Sequence, residues 1–135
     1  MGGMCCAARD NKGPQKIWVT VHKASGLKRL NLSGDDNYCI CDVVRQADSK
    51  DPAASCRTKA ISKTLSPEWE QTFEVGPWSP GEQLKFSIYS KGVIKSKIQG
   101  TACLDGQKFH PTTFSGPLPI EGCENGQLWV SVCPK

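Results

Sequence analysis

The sequence lacks several features that would assign it to common classes of protein. No stretch approaches the roughly 18 apolar residues that a membrane-spanning helix needs, and aromatic residues make up only 7% of the 135 residues. The first eight residues, MGGMCCAA, are too short for the apolar core of about 7–15 residues in a secretion signal. We therefore expect a protein that is made and kept in the cytosol.

The eight cysteines lack the spacing of a zinc site, because no two of them are separated by two residues. Cys39 and Cys41 have one residue between them, and His22 and His110 are isolated. A disulfide framework is disfavoured because cytosolic thiols stay reduced. We predict no metal and no cofactor, and we interpret Cys39 and Cys41 as small apolar residues of a core strand.

Size and charge indicate one domain with an uneven charge distribution. A chain of 135 residues is long enough for one domain with a real core. Residues 1–30 hold six basic residues and one acidic residue, whereas residues 31–56 hold two basic and five acidic residues. A basic start and an acidic loop fit a domain that presents one face to an anionic surface. Ordinary scatter of surface charge fits the same numbers.

Hydrophobic alternation predicts β-structure through most of the chain. Ile17, Val19 and Val21 alternate with polar or amphipathic residues, as in a half-buried strand. Further strands are predicted at YCICDVV, CRTKAISK, EWEQTFEV, LKFSIYS, IQGTACLD and QLWVSV, with a tight connection at GPWSPGEQ and a loop-rich stretch at 105–126. These seven segments and the turn signals between them favour an all-β fold, which we expect to be an antiparallel β-sandwich of about eight strands over residues 16–135, behind a flexible head of residues 1–15.

Five motifs, in the right order, make the chain resemble the C2 domain family over about residues 16–133. They are Ala24 with Gly26 and Leu27; Asp36, Asn37 and Tyr38; Arg57, Thr58 and Lys59; the Ser66–Gln71 turn with Phe73; and the strand Leu84–Ser90 followed by Ile98 and Gly100. The chain opens on the family's Ala-x-x-Leu strand and closes on a Gly-x-Leu-x-Val strand, Gly126–Val130. This order resembles the family's type II arrangement.

The resemblance implies a position for a calcium site, and the chain departs from the pattern there. Calcium takes six to eight oxygen ligands, mostly from carboxylates, which family members supply as aspartates from two loops. Those positions fall here on Asn31, on Ser90 and Gly92, and near Ser96 or Lys97. Only Asp35 and Asp36 remain as acidic residues. We therefore expect no calcium binding.

The resemblance also implies a phospholipid-binding face that is rich in basic residues. Its positions are Tyr38, Arg57, Lys59 and Tyr89, with Lys91, Lys95 and Lys97 in the adjoining loop. Arginine can bind phosphate through two parallel hydrogen bonds, and lysine supplies a point charge. Ile40 and Ser96 depart from the family's pattern at this face. Alternatively, the lysines form a solvated loop and the strand charges protect an edge strand from aggregation.

The head carries the signals of a lipid anchor. Gly2 follows the first methionine, as N-myristoylation requires, although Cys6 stands where that motif has Ser or Thr. Cys5 and Cys6 suit palmitoylation, and stable anchoring takes two such signals. Arg9, Lys12 and Lys16 add positive charge. A flexible tail with incidental cysteines is the alternative.

Taken together, these features favour a non-enzymatic adaptor, a monomer that docks on anionic phospholipids at the cytoplasmic face of a membrane. The runner-up is a protein–protein interaction module that the lipid anchor merely localises. No nucleophile–base pair or phosphate-binding glycine loop stands out, so an enzyme is disfavoured. Nucleic-acid binding is not expected, because the aromatic residues occupy core strand positions.

Overall fold

A computed structural model describes residues 15–45 and 54–135. Its eight strands are β1 (Gln15–Ser25), β2 (Asp36–Val44), β3 (Ala54–Arg57), β4 (Glu68–Trp78), β5 (Gln83–Lys91), β6 (Lys97–Leu104), β7 (Phe114–Pro119) and β8 (Gln127–Pro134). A short 3-10 helix, Gly106–Lys108, follows β6. In these ranges no helix has the length and apolar character needed to cross a bilayer.

The strands form two four-stranded antiparallel sheets packed as a sandwich. One sheet has the order β4-β1-β8-β7 and the other has the order β3-β2-β5-β6. Strand β2 pairs with β5 without a register shift from Asp36–Lys91 to Val44–Gln83. The predicted fold class is therefore confirmed.

The core lies between the sheets and is filled by the alternating residues of each strand. Ile17, Val19 and Val21 of β1 are buried, as the alternation predicted. The same inward period continues in β5 and β8 through Leu84, Phe86, Ile88, Leu128, Val130 and Val132. Each such side chain contributes about 1.5–3 kcal/mol when it leaves water. Cys39 and Cys41 are buried free thiols of this core, which confirms their interpretation as small apolar residues.

Strand β3 is shorter than predicted, because it ends at Arg57 instead of continuing through Lys63. The hydroxyl of the buried Thr58 accepts a hydrogen bond from the amide of Cys39 at 2.9 Å. A side chain thus takes the place of a main-chain acceptor, and the regular ladder stops. Ile61 then makes only an isolated bridge with Asn37.

Two other segments differ from the prediction. The stretch 105–126, predicted to be loop-rich, contains β7 at a sheet edge, where Pro117 and Pro119 are tolerated because an edge strand pairs on one side only. The predicted tight connection GPWSPGEQ begins inside β4. Its Trp78 is fully buried and its indole N–H donates to the carbonyl oxygen of Glu82 at 3.0 Å.

Candidate functional site

Two loops meet at one end of the sandwich, and the carboxylate of Asp35 lies between them. Loop A (residues 26–35) joins β1 to β2, and loop B (residues 92–96) joins β5 to β6. Asp35 is only 3% exposed. Its Oδ1 accepts hydrogen bonds from the amide of Leu30 at 3.0 Å, the amide of Asn31 at 3.1 Å and the Ser90 hydroxyl at 2.6 Å. The carboxylate therefore organises loop A from within.

The environment of Asp35 keeps it ionised. Burial alone would raise its pKa, but the hydrogen bonds from Ser90, Leu30 and Asn31 and the nearby charge of Arg29 outweigh burial and leave the pKa below its usual value. An ionised carboxylate whose oxygen already accepts three close hydrogen bonds is poorly placed to serve as a free metal ligand.

The positions where the resemblance placed the lost aspartates are in direct contact. The amide Nδ2 of Asn31 donates to the Ser90 hydroxyl at 2.7 Å, and the Lys97 ammonium donates to the carbonyl oxygen of Leu30 at 3.2 Å. A Cβ atom at Gly92 would lie 2.3 Å from the carbonyl oxygen of Lys95, so this form of loop B excludes an aspartate there. Hydrogen bonds, one of them from an ammonium group, thus join loop A to the strand ends that flank loop B.

The remaining acidic residue, Asp36, is engaged elsewhere. It lies at the start of β2, and its Oδ1 accepts the amide hydrogen of Lys63 at 3.0 Å. Within 15–45 and 54–135, no three His, Cys, Asp or Glu residues are grouped so that they could hold a metal ion. The two carboxylates that remain near the loops, Asp35 and Asp36, thus both accept hydrogen bonds from main-chain amides.

The tips of both loops carry apolar side chains that sequence reasoning missed. Leu32 of loop A is 98% exposed, and Val93 and Ile94 of loop B are 99% and 96% exposed. Lys91 and Lys95 are exposed on either side of the loop B pair. We call Leu32, Val93 and Ile94 the apolar tips. The sequence feature that could have revealed the loop B pair is the Val-Ile dipeptide in a lysine-rich loop, because a loop has no position that faces the core.

A stack of three side chains lies on the outer face of the β3-β2-β5-β6 sheet. The rings of Tyr38 and Tyr89 are 5.6 Å apart and nearly parallel, at 16°. The Arg57 guanidinium carbon lies 4.5 Å from the Tyr38 ring centroid. The Tyr38 hydroxyl donates to the Ser96 hydroxyl at 3.0 Å, which connects this arginine–tyrosine stack to loop B. Tyr38 itself is buried, so it supports Arg57 from below.

The structure leaves both predicted basic residues of this face exposed, although only Arg57 is on a strand. Lys59 follows the buried Thr58 and is exposed beyond the end of β3. The amide of Lys59 donates to Oε1 of Gln71 at 2.7 Å, which fixes its backbone. Ile40, where the family pattern has a lysine, is opposite Arg57 in the ladder. The predicted lipid-attachment residues Gly2, Cys5 and Cys6 lie outside the described residues.

A second polar cluster, on the outer face of the other sheet, was not expected from the sequence. His22 contacts Glu70 at 2.7 Å through Nδ1 and Ser131 at 2.8 Å through Nε2. Acid, imidazole and hydroxyl are thus arranged as in a catalytic triad. Ser131 is opposite Thr20 on one side and Ser115 on the other, however. Because β8 is paired along both edges, its amides are used in the ladders and are not free to stabilise an oxyanion.

Comparison with known proteins agrees with the architecture. The family model described as "C2 domain" matches residues 15–118. A solved C2 domain of plant Extended Synaptotagmin 1 superposes with a TM-score of 0.73 at 24% identity, covering 92% of this chain and 96% of that one. Human GIVD cytosolic phospholipase A2 superposes with a TM-score of 0.73 at 19% identity, where the match covers 91% of this chain and 17% of that one.

Curated relatives are similar over part of their length. A "Calcium-dependent lipid-binding protein" of Arabidopsis thaliana is 31% identical over 86 residues, which are 63% of this chain and 16% of that protein. A "GTPase activating protein 1" of Oryza sativa subsp. indica is 24% identical over 118 residues, which are 87% of this chain and 65% of that protein. The chain therefore spans less than two thirds of either relative.

Proposed function

The chain belongs to the C2 domain family, and on that premise we propose that it is a non-enzymatic membrane-docking module that binds anionic phospholipids without calcium. We further propose that acyl groups on Gly2 and on Cys5 or Cys6 hold it at the cytoplasmic face of a membrane. Phospholipid binding is consistent with the lipid-binding activity in the name of the Arabidopsis relative.

The observation that carries the proposal is the pairing of apolar tips with lysines at one end of the sandwich. Leu32, Val93 and Ile94 are almost fully exposed, and Lys91 and Lys95 flank the loop B pair. Exposed apolar side chains at a loop tip have no role in the core, and a bilayer interface would remove them from water. Each lysine near an anionic leaflet contributes about 1 kcal/mol. One surface thus combines both forces that hold a protein on a membrane.

The way in which the two loops are joined supports calcium-independent binding. In calcium-dependent binding, the ion would supply positive charge between the loops and bridge them to phosphate. Here hydrogen bonds from its own loop and from Ser90 stabilise the ionised Asp35 carboxylate, and Lys97, at the start of β6, donates to the carbonyl oxygen of Leu30 in loop A. The loops are therefore positioned, and their positive charge is present, without an ion.

The arginine–tyrosine stack supplies a site for a phosphorylated head group. Stacking on Tyr38 restricts the Arg57 guanidinium, so less conformational freedom is lost when it binds phosphate. Lys59, two residues further along the chain, is also exposed. The link from Tyr38 to Ser96 makes this face continuous with loop B. A head group at the stack and apolar tips in the bilayer can therefore be engaged together.

Vesicle sedimentation with the full, unacylated chain tests the docking proposal. We expect binding to vesicles of phosphatidylcholine with phosphatidylserine, much weaker binding to phosphatidylcholine alone, and no change between chelator and added calcium. The double variant Val93→Ser and Ile94→Ser should weaken binding more than tenfold, because the apolar area that enters the interface is lost. Trp18→Ser is the matched control, since Trp18 is an exposed apolar residue on the other sheet.

Three outcomes would contradict the proposal. Binding that appears only with calcium would exclude the calcium-independent mode. Equal losses of vesicle binding in the loop B variant and the Trp18 control would mean that the apolar tips are not part of the docking surface. No binding to either vesicle would favour the alternative, in which the sandwich binds a protein partner.

A further inference from the structure

Two of the free thiols are directly opposite each other in adjacent strands. Cys41 of β2 and Cys56 of β3 are register partners, and neither is in a disulfide. Opposed residues in an antiparallel pair have Cα atoms about 4.5–5.5 Å apart. A disulfide spans Cα separations of about 4.4–6.8 Å. The backbone therefore already holds the two residues at a distance that a disulfide can bridge.

The two thiols differ in exposure and in acidity. Cys41 is buried in the core, whereas Cys56 is half-buried at the sheet edge. The hydrogen bond from the Cys41 thiol lowers the pKa of Cys56, against the opposing effect of burial. That hydrogen bond, and then burial, raise the pKa of Cys41 well above its usual value. Cys56 is thus the thiol that ionises first, with a protonated thiol beside it.

The neighbouring Cys39 takes no part in this pair. Burial raises its pKa strongly, so it stays protonated. The other described cysteines that lie on strands have no cysteine opposite them. Cys133 faces Trp18 across the ladder, and Cys103 faces Lys85.

We propose that Cys41 and Cys56 form a reversible dithiol–disulfide site that a peroxide oxidises. The thiolate of Cys56 attacks one oxygen of hydrogen peroxide, the O–O bond breaks, and hydroxide leaves and takes up a proton to become water. Cys56 is then a sulfenic acid. The Cys41 sulfur attacks the Cys56 sulfur, the S–S bond forms, and the hydroxyl group leaves with the Cys41 proton as a second water. Two thiols are oxidised, one peroxide is reduced to two waters, and a dithiol reductant reverses the change.

The position of the pair makes this modification local to one edge of the sandwich. Strand β3 has only four residues and pairs with β2 alone. A disulfide at Cys56 would fix that strand next to Arg57, whose side chain is on the other face of the sheet. The proposed cysteine pair is inferred from the register of β2 and β3, so the proposal does not depend on whether the chain binds phospholipid.

Peptide mass mapping of the full chain after peroxide treatment tests the proposal. The reduced protein is exposed to hydrogen peroxide, remaining thiols are alkylated at intervals, and linked peptides are identified. We expect a Cys41–Cys56 link that forms at least tenfold faster than Cys133 loses its reactivity to alkylation, and that dithiothreitol reverses. Cys56→Ser should abolish the link, whereas Cys133→Ser, which removes another half-buried thiol, should leave its rate unchanged.

Other results would overturn the proposal. These are Cys41 and Cys56 both remaining open to alkylation after peroxide treatment, Cys56 linking preferentially to another cysteine, or Cys56 losing its thiol no faster than Cys133 does. Cys41→Ser provides a second check that does not depend on how Cys56→Ser folds, and it keeps a hydrogen-bond donor beside Cys56. In that variant Cys56 should stop at the sulfenic acid, which a dimedone-type reagent captures, and no capture would refute the order of steps.

Discussion

Replacing Arg57 and Lys59 together by alanine tests how much the outer sheet face contributes to membrane binding. Both side chains are exposed, and Thr58 between them is buried. Each basic residue near an anionic surface contributes about 1 kcal/mol. The double variant should therefore lose about 2 kcal/mol, which corresponds to between tenfold and thirtyfold weaker binding, with about tenfold for each 1.4 kcal/mol.

The same variant should flatten the salt dependence of binding. Charge–charge attraction near a surface is screened over about 10 Å at 0.1 M salt, whereas insertion of the apolar tips is much less sensitive to salt. Partition onto phosphatidylserine-containing vesicles, measured by sedimentation between low and physiological salt, gives both quantities. Loss of the contact between Arg57 and Tyr38 should lower the free energy of unfolding by only about 0.5–1 kcal/mol. Thermal melting checks that the fold is intact.

A matched control removes the same charge elsewhere. Lys135 lies over the Trp18 ring of the other sheet, and Lys108 is in the 3-10 helix, so neither belongs to the stack or to loop B. The double variant Lys135→Ala and Lys108→Ala should bind vesicles nearly as well as the parent chain. An equal loss in both double variants would mean that net charge alone governs binding. Unchanged binding after loss of Arg57 and Lys59 would mean that loop B or a protein partner mediates membrane binding.

Three further predictions follow from the loops and the head. Titration calorimetry should show no saturable calcium site at millimolar concentration, and a saturable isotherm would refute our account of the loops. Asp35→Ala should lower the free energy of unfolding by about 2–4 kcal/mol, because the amides of Leu30 and Asn31 and the Ser90 hydroxyl lose their acceptor. Since the pKa of Asp35 is lowered, the part of this stabilisation that depends on its charge should be present above about pH 4, the unfolded value, and be lost as the pH falls through the folded pKa, which denaturation at several pH values would show. Gly2→Ala, with a C-terminal tag, should move the protein from membranes to the cytosol, because each buried acyl methylene contributes about 0.8 kcal/mol to membrane binding. Its melting temperature should not change. Retention of this variant on membranes would exclude the acyl anchor.

The fold was largely predictable because most strands are amphipathic. A period of two is visible in single strands such as β1 and β8, and it identifies their buried faces directly. The segments that differed obey other constraints. Strand β7 is rich in proline and lies at an edge, and Trp78 is buried through contacts with residues remote in sequence. The end of β3 depends on a hydrogen bond from Cys39 to Thr58, which no local pattern encodes.

The residue types of the candidate site could be predicted from the sequence, but the contacts between those residues could not. The sequence showed that carboxylates were missing at Asn31, Ser90 and Gly92, since residue types can be read without a structure. It did not show that Asn31 and Ser90 touch each other and Asp35, because the contacts of Ser90 join residues more than fifty positions apart. Nor did it separate exposed apolar residues from core residues. Val93 and Ile94 resemble a short piece of strand until the turn between β5 and β6 is placed.

The network around Asp35 also determines which signals such a domain can follow. A loop pair that needs an ion exists in two states, and a rise in calcium concentration selects between them. If the chain binds without calcium, as proposed above, loops joined through Asp35, Ser90 and Lys97 need no ion to reach their binding arrangement, and calcium transients and chelators should leave binding unchanged. Time-dependent control then has to act on the other partner, through the anionic lipid content of the membrane, or on the attachment and removal of acyl groups. Membrane binding by the chain would therefore depend on the lipid composition of the membrane and would not respond directly to calcium released when a cell is stimulated.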